Sequence, residues 1–168
     1  MKSKELLKRN KIMESAFLHF SSLSYSDVKI AEIAKSANVS SSLLYYYYEN
    51  KEQLFIESYA YILEQRIRLI DKLTFKELVL IFTSIFVENY RYSVSINKLI
   101  LLKSDIKEEF FDIIYSYLKL CTDVESTDYE SYLVVLVSLN AYPGVMLSSE
   151  NMSFTVDNII EIYKKLLK

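Results

Sequence analysis

The sequence predicts an all-α protein, and three observations indicate this. The chain has one glycine and one proline in 168 residues, too few turn residues for a sandwich or barrel of many short strands. Apolar residues make up 51% of the chain against 25% charged residues, a balance typical of folded globular proteins. Apolar side chains also recur at helical spacing over most of its length. We expect about nine helices, divided between a small head at residues 1–48 and a helical body at residues 49–168.

The first two predicted helices open the head. The first starts near Ser3 and continues to Phe20, with apolar residues at intervals of three and four positions. A polar connection follows, in which Ser26 or Asp27 can cap the next helix by accepting its free amide protons. That second helix is short and covers residues 28–37.

A tight turn joins the second helix to a third. Asn38 tolerates the left-handed conformation that closes such a turn, and Ser40 can cap the third helix. Residues 28–51 read VKIAEIAKSANVSSSLLYYYYENK, two short helices followed at once by a long one. Small Ala34 and Ala37 let the two short helices approach closely. This arrangement is typical of a helix-turn-helix.

Four helices are predicted in the first part of the body. Two of them begin with the spacing of a capping box, in which the first residue and the residue three places on exchange hydrogen bonds. The two pairs are Asn50 with Gln53 and Thr74 with Glu77. The four helices are predicted at residues 50–71, from residue 74 onward, and at residues 95–103 and 105–121.

The last two predicted helices are the candidates for a homodimer interface. Thr127 and Glu130 open the first of them, which is apolar nearly all round as far as Leu147 and therefore needs burial on two sides. The final helix carries one apolar stripe. Two-fold pairing of four such helices would bury these surfaces. The expected interface residues are Tyr132, Leu136, Leu139, Ile159, Tyr163 and Leu166.

Charge is divided unevenly along the chain. Residues 1–51 carry eight basic and five acidic residues, a net charge of +3, and the rest carry twelve and seventeen, a net charge of −5. A basic head indicates nucleic-acid contact or a solvated face. Its basic residues concentrate in an entry segment, which is either an anion-binding element or a solvated helix start. They are Lys2, Lys4, Lys8, Arg9 and Lys11.

The sequence predicts a cytoplasmic protein. Cys121 is the sole cysteine, which excludes an internal disulfide and a zinc site of several thiolates. The first residues are charged, unlike a secretory signal. Polar residues, a proline and a glycine interrupt the uncharged residues 131–149, so we interpret them as a buried helix rather than a membrane span.

Specific positions of the head match a known family. In order along residues 10–55 they are Ala16, Phe20, Tyr25, Ile33, Ala34, Ala37, Val39, Ser40, Leu44, Tyr45, Tyr47, Lys51 and Glu52. In this order and spacing the segment resembles the DNA-binding domain of TetR-family transcriptional regulators. It departs from the usual family text at Ser24, Val28, Lys29, Asn38, Ser41, Ser42 and Leu43. Several departures fall where the family touches DNA, so no operator sequence can be carried over.

The resemblance implies which side chains meet double-stranded DNA. Ser41, Ser42 and Leu43 would face base edges in the major groove. Tyr46 would either stack on a sugar or methyl group or stay solvated, and Tyr48 is expected in the core. Phosphate contacts would come from Lys29, Ser40, Tyr45, Tyr47 and Lys51.

The resemblance also implies a homodimeric regulator, which we interpret as a repressor of a palindromic operator. A small apolar or aromatic effector bound by the body would release it from DNA, with the helix from Asn50 as the link. No cofactor is implied. The residues that would line the effector pocket, or else form plain core, are Phe82, Phe86, Tyr90, Phe110, Ile114 and Tyr117.

An enzyme is not expected. His19 is the sole histidine, and its place on the first helix beside Phe17 and Phe20 favours a structural role. There is no glycine-rich phosphate loop and no metal-ligand spacing. Two further interpretations stay open. One is an architectural or partner-controlled DNA-binding protein without a small ligand. The other is a helical interaction module with a degenerate head, suggested by the serines at positions 41 and 42.

Overall fold

The protein is described here by a computed structural model, which covers residues 2–125, residue 127 and residue 132, with only the backbone for residues 2, 3, 86, 87 and 90. Within this range the chain forms seven helices and no strand. They are α1 (Lys2–Ser22), α2 (Ile30–Ser36), α3 (Ser41–Tyr47), α4 (Lys51–Ile67), α5 (Phe75–Glu88), α6 (Tyr90–Leu102) and α7 (Ser104–Leu118). The predicted all-α fold is confirmed.

The predicted eighth and ninth helices lie outside the described residues. The same holds for five expected interface residues, namely Leu136, Leu139, Ile159, Tyr163 and Leu166. The sixth, Tyr132, is half-buried, and its ring packs edge-on against Phe75 with the ring centroids 4.3 Å apart. The homodimer interface therefore stays a prediction.

The start of α2 differs from the sequence-based expectation. The helix begins at Ile30, and its N-cap residue is Lys29, whose side chain makes no capping hydrogen bond. The prediction that Ser26 or Asp27 caps this helix was wrong. The Ser24 hydroxyl donates to the Asp27 carboxylate at 2.5 Å and lies 3.1 Å from the Ser26 hydroxyl, so both side chains are engaged before the helix begins.

Three helix ends also differ from the predicted ones. The fourth helix ends at Ile67, short of the predicted Asp71, because the next amide groups bond three residues back: Leu69 N–H donates to the Arg66 carbonyl and Ile70 N–H to the Ile67 carbonyl. Such bonds tighten the last turn and end the helix. The sixth helix begins at residue 90 rather than 95, and the seventh ends at residue 118 rather than 121.

Head and body share one hydrophobic core. Tyr92 of α6 lies at its centre, stacked on Phe55 of α4 with the ring centroids 4.3 Å apart and tilted against Phe17 of α1 at 5.1 Å. Its buried hydroxyl donates to the Phe55 carbonyl and bonds the Ser58 hydroxyl at 3.0 Å. Because these side chains come from α1, α4 and α6, the first helix of the head packs directly on the body.

The structure also describes the sole cysteine and the apolar character of the helices. Cys121 is a free, buried cysteine, and burial raises the pKa of its thiol to about 12. None of the described helices combines the length and the apolar character that a bilayer crossing requires.

Candidate nucleic-acid interface

The turn between α2 and α3 has the geometry that its sequence predicts. Asn38 has a φ of 55°, in the left-handed region. Its N–H donates to the Lys35 carbonyl at 3.1 Å, and the next N–H, that of Val39, donates to the Ala34 carbonyl at 3.0 Å. These bonds satisfy the last carbonyl groups of α2 and fix the direction in which α3 leaves.

Ser40 caps α3 as predicted. Its backbone is extended, with φ −77° and ψ 151°, and its hydroxyl oxygen accepts a hydrogen bond from the Leu43 N–H at 3.1 Å. An oxygen in this position satisfies one of the amide groups that have no partner within the helix. The cap sets where α3 starts and therefore which of its side chains face outward.

Two faces of α3 differ sharply in exposure. Leu44 and Tyr48 are each 1% exposed and hold the helix against the core, as expected for Tyr48. Tyr45 is 54% exposed and Tyr46 77%. The predicted base-reading residues lie at the start of the helix: Ser41 and Ser42 are exposed and Leu43 is half-buried. A rigid helix therefore presents serine and tyrosine hydroxyls to solvent.

Tyr47 lies between α3 and α1. It is half-buried, its ring meets that of Tyr46 edge-on with centroids 5.3 Å apart, and the Arg9 guanidinium lies 5.9 Å from its centroid. Arg9 also lies 3.7 Å from the Glu57 carboxylate of α4. Burial raises the pKa of Glu57 despite this neighbour. The first turns of α1 therefore pack beside the end of α3.

Lys51 sits at the start of α4, on the ring of Tyr25. Its Nζ atom lies 4.6 Å from the ring centroid, and burial lowers the pKa of its ammonium group. The helix begins with a cap as predicted, since Asn50 Oδ1 accepts from the Gln53 N–H at 2.8 Å. The return bond from Gln53 goes to the N–H of Glu49 at 2.8 Å rather than to that of Asn50. The Asn50–Gln53 box is thus shifted by one residue.

Lys29 is exposed at the start of α2. Its Nζ atom lies 3.8 Å from the carboxylate of Glu32, which is also exposed. Such solvated pairs are weak, on the order of 0–1 kcal/mol. This ion pair therefore leaves Lys29 free to turn toward another anion.

The sequence did not predict a polar contact that links the start of α4 to the segment between α6 and α7. Lys103, the residue between α6 and α7, donates to the Glu52 carboxylate. The Lys103 ammonium holds the pKa of Glu52 below its usual range, and the nearby Tyr25 hydroxyl lowers it further. The two partners lie 51 positions apart, so no local pattern indicates the pair.

The expected pocket residues are partly packed on one another. Phe82, Phe110 and Ile114 are each 1% exposed, and the rings of Phe82 and Phe110 lie 6.1 Å apart between centroids. Tyr117 is half-buried and borders an open groove of about 270 Å³ between α1, α4 and α7. The side chains of Phe86 and Tyr90 lie outside the described residues.

His19 has a structural environment. It is half-buried, and its Nδ1 atom lies 2.8 Å from the Ser15 carbonyl oxygen, one turn back in α1. Since a carbonyl only accepts, Nδ1 carries the proton in this contact. The arrangement ties the ring to its own helix.

Comparison with known proteins shows the same fold and head. The model for "Bacterial regulatory proteins, tetR family" matches residues 12–57, close to the predicted segment 10–55. A structure assigned to the TetR-family transcriptional regulators, from Mesorhizobium loti MAFF303099, has a TM-score of 0.62 at 15% identity and covers 95% of this chain and 96% of its own. A TetR transcriptional regulator from Rhodococcus sp. RHA1 has a TM-score of 0.64 at 13% identity and covers 96% and 98%. No curated protein matches the sequence.

These likenesses agree with the geometry of the head. The match of residues 12–57 spans α2, the left-handed turn and α3, together with the core residues that support them. The likeness to the two solved structures, at 15% and 13% identity, concerns the fold. Residues 12–57 therefore match the tetR family of bacterial regulatory proteins, and the likeness to the two solved regulators shows a shared fold.

Proposed function

We propose that this chain is a TetR-family regulator, a repressor that binds a palindromic operator as a homodimer and is released when an effector binds its body. The proposed DNA binding is supported mainly by the pattern of exposed and buried residues on α3. The helix α3 is held rigid by buried Leu44 and Tyr48 and exposes Ser41, Ser42 and the two tyrosines 45 and 46 on its other face. A helix with that division of faces suits entry into the major groove.

Within this proposal, the start of α3 reads sequence. Ser41 and Ser42 carry hydroxyls that can donate to or accept from base edges, and Leu43 would meet a thymine methyl group. A serine contact discriminates less than a bidentate pair, which is worth about 1–3 kcal/mol. Sequence preference at these positions is therefore expected to be modest, and affinity has to depend on phosphate contacts.

The proposed phosphate contacts surround the reading helix. Lys29 is exposed, Ser40 lies at the start of α3 and Tyr45 has a free-standing exposed ring. Lys51 lies at the N-terminus of the long helix α4, where amide groups favour anions. Tyr47 is placed differently, because its ring lies against Arg9 and its hydroxyl beside Glu5. It would have to leave these neighbours to contact a phosphate.

An effector can act only if it binds one spacing of the two heads better than another. The helix α4 is the proposed link, because it begins directly after the head and carries Phe55 and Ser58 into the core around Tyr92. The proposed ligand is a small apolar or aromatic molecule, bound near Phe82 and Tyr117. Localisation in the cytoplasm accords with this role.

A second candidate is a DNA-binding regulator without a small ligand. It is favoured by the close packing of Phe82, Phe110 and Ile114, which leaves the centre of the expected pocket filled. Thermal unfolding measured against a metabolite library separates the two candidates. A ligand at 100 times its Kd stabilises the protein by about 2.7 kcal/mol, whereas no shift with any compound favours the second candidate.

Selection of binding sites from random DNA with the purified protein tests the main proposal. We expect a palindromic site. Replacing Lys51 by Ala should weaken binding to all sequences and make the salt dependence shallower by about one logarithmic slope unit per subunit, whereas Ser41→Ala should change base preference instead. Lys98→Ala, an exposed change in α6, is the matched control and should do neither. Unchanged binding in both head variants would contradict the contact assignment.

A further inference from the structure

The first turns of α1 carry a basic stripe, formed by Lys4, Lys8 and Lys11. All three side chains are exposed. Their spacing, i, i+4 and i+7, puts them on one face of the helix. The structure places α1 continuously through these residues, from Lys2 to Ser22, so the stripe lies on a helical surface.

This face of α1 leads directly onto the helix-turn-helix. The next position along it is Ser15, whose hydroxyl donates to the Ile33 carbonyl of α2 at 3.1 Å. Lys11 borders a groove whose opposite wall is Ser36 and Asn38, the end of α2 and its turn. The basic stripe and the proposed DNA-binding helices therefore form one continuous side of the head.

The charge of the head lies almost entirely in these turns. Residues 1–11 carry five basic residues and one acidic residue, a net charge of +4, whereas residues 12–51 carry three and four, a net charge of −1. The helix-turn-helix itself, residues 28–51, carries three basic and two acidic residues, a net charge of only +1. Duplex DNA carries about one negative charge per 1.7 Å of its length, so most of the electrostatic attraction of the head comes from the start of α1.

We propose that Lys4, Lys8 and Lys11 form a second phosphate-binding surface, which contacts the DNA backbone beside the half-site read by α3. The inference rests on the proposed DNA binding and adds a site to it. The rise from residue 4 to residue 11 is about 10 Å, which corresponds to about three phosphates of one strand when they are counted along the duplex axis at about 3.4 Å each. The stripe supplies affinity and salt dependence but no base reading, because phosphates carry no sequence information.

The test is the triple variant Lys4→Gln, Lys8→Gln and Lys11→Gln in the full-length protein. Glutamine has nearly the helix propensity of lysine, so far-ultraviolet circular dichroism and thermal unfolding should be unchanged. The slope of log Kd against log salt should become shallower by about 2.7 per subunit. The selected DNA sequence should stay the same, and hydroxyl-radical footprints should lose protection at the outer edges of each half-site.

A control removes the same charge elsewhere. Lys72, Lys98 and Lys107 are exposed residues of the body, and their joint replacement by Gln should leave the salt slope and the footprint unchanged. If wild type binds with a steep salt slope and the α1 variant has the same slope, the inference is wrong and the proposed function stands. An equal loss in both triple variants also overturns it. If wild type itself binds no duplex at low salt, the proposed function fails first.

Discussion

Asn38 turns the chain between the two short helices of the head, and its conformation is the most constrained in that segment. Its φ of 55° brings Cβ close to the neighbouring backbone, a strain that asparagine bears better than most residues. The side chain is exposed, so the residue contributes through its backbone and not through packing. The angle between α2 and α3 depends on it.

Two substitutions of Asn38 test how much free energy its left-handed backbone conformation costs. Asn38→Val should destabilise the folded protein by about 1–2 kcal/mol, because a β-branched residue is disfavoured in the left-handed region. Asn38→Gly should change stability by only a few tenths of a kcal/mol, since glycine adopts this φ without strain but loses more entropy on folding. Urea unfolding measures both. Equal midpoints for the two variants would contradict the argument.

Features of the head that depend on residues nearby in the chain could be predicted from the sequence. Asn38 at the turn, Ser40 as a cap and Tyr48 as core depend on residues a few positions away, and the structure has all three. The contact of Lys51 with the Tyr25 ring could not be predicted. It depends on how α1 and α4 pack, and no spacing in the sequence encodes that.

The start of α5 is fixed by two independent sets of hydrogen bonds. Thr74 and Glu77 form the predicted capping box, in which the Thr74 N–H donates to the Glu77 carboxylate at 2.7 Å. A second set comes from the segment after α7, where the Asp123 carboxylate accepts from the Phe75 N–H at 2.7 Å. In addition, the Thr122 N–H donates to the Leu73 carbonyl at 2.9 Å. The helix start is therefore joined to the end of the described body.

Thr74→Ala should lower the free energy of unfolding by about 1 kcal/mol, the usual cost of losing a cap oxygen. Thr74→Ser keeps the hydroxyl and should retain most of that stability, which makes it the matched control. Urea or thermal unfolding at neutral pH measures the difference. If alanine and serine gave the same stability, the hydroxyl would contribute nothing and the bonds from the Asp123 segment would suffice alone.

Helix existence was easier to predict than helix ends. The capping pairs that open α4 and α5 were found from their spacing, whereas α2 begins later than its serine and aspartate signals suggested. Ser24 competes for Asp27, and a side chain can satisfy only the neighbour that it faces. Where two polar residues near a helix start can bond each other, spacing alone does not decide which one caps the helix.

At the scale of the protein, an apolar contact joins head and body, and a polar contact holds the start of α4, directly after the head, to the rest of the body. The apolar contact is the ring cluster of Tyr92 with Phe17 and Phe55. The polar contact is the ion pair between Glu52 at the start of α4 and Lys103 between α6 and α7. These contacts are two of the routes by which a change in the position of α6 would reach the proposed DNA-binding head. The contact of Arg9 in α1 with Glu57 in α4 is another.

The ion pair is testable through its pH dependence. The Lys103 ammonium holds the pKa of Glu52 below its ordinary value, so the unfolded chain takes up this proton more readily than the folded one. The stability that the pair contributes is therefore present above the unfolded pKa, about 4.3, and is lost as the pH falls through the lower folded pKa. Both side chains are partly exposed, which limits the contribution to about 0.5–1 kcal/mol at neutral pH.

Lys103→Met keeps the length of the side chain and removes the charge. At pH 7 we expect this variant to have a free energy of unfolding lower than that of wild type by about 0.5–1 kcal/mol. At pH values well below the folded pKa of Glu52, where the carboxyl group is protonated, the two proteins should have the same stability. Lys98→Met, an exposed change in the preceding helix, is the control for removing a positive charge. Its free energy of unfolding should equal that of wild type at every pH. Denaturant unfolding across the pH range gives the comparison. A constant difference between Lys103→Met and wild type at all pH values would mean that Lys103 acts through its packing, and the ion pair would then contribute nothing to holding the start of α4 against the end of α6.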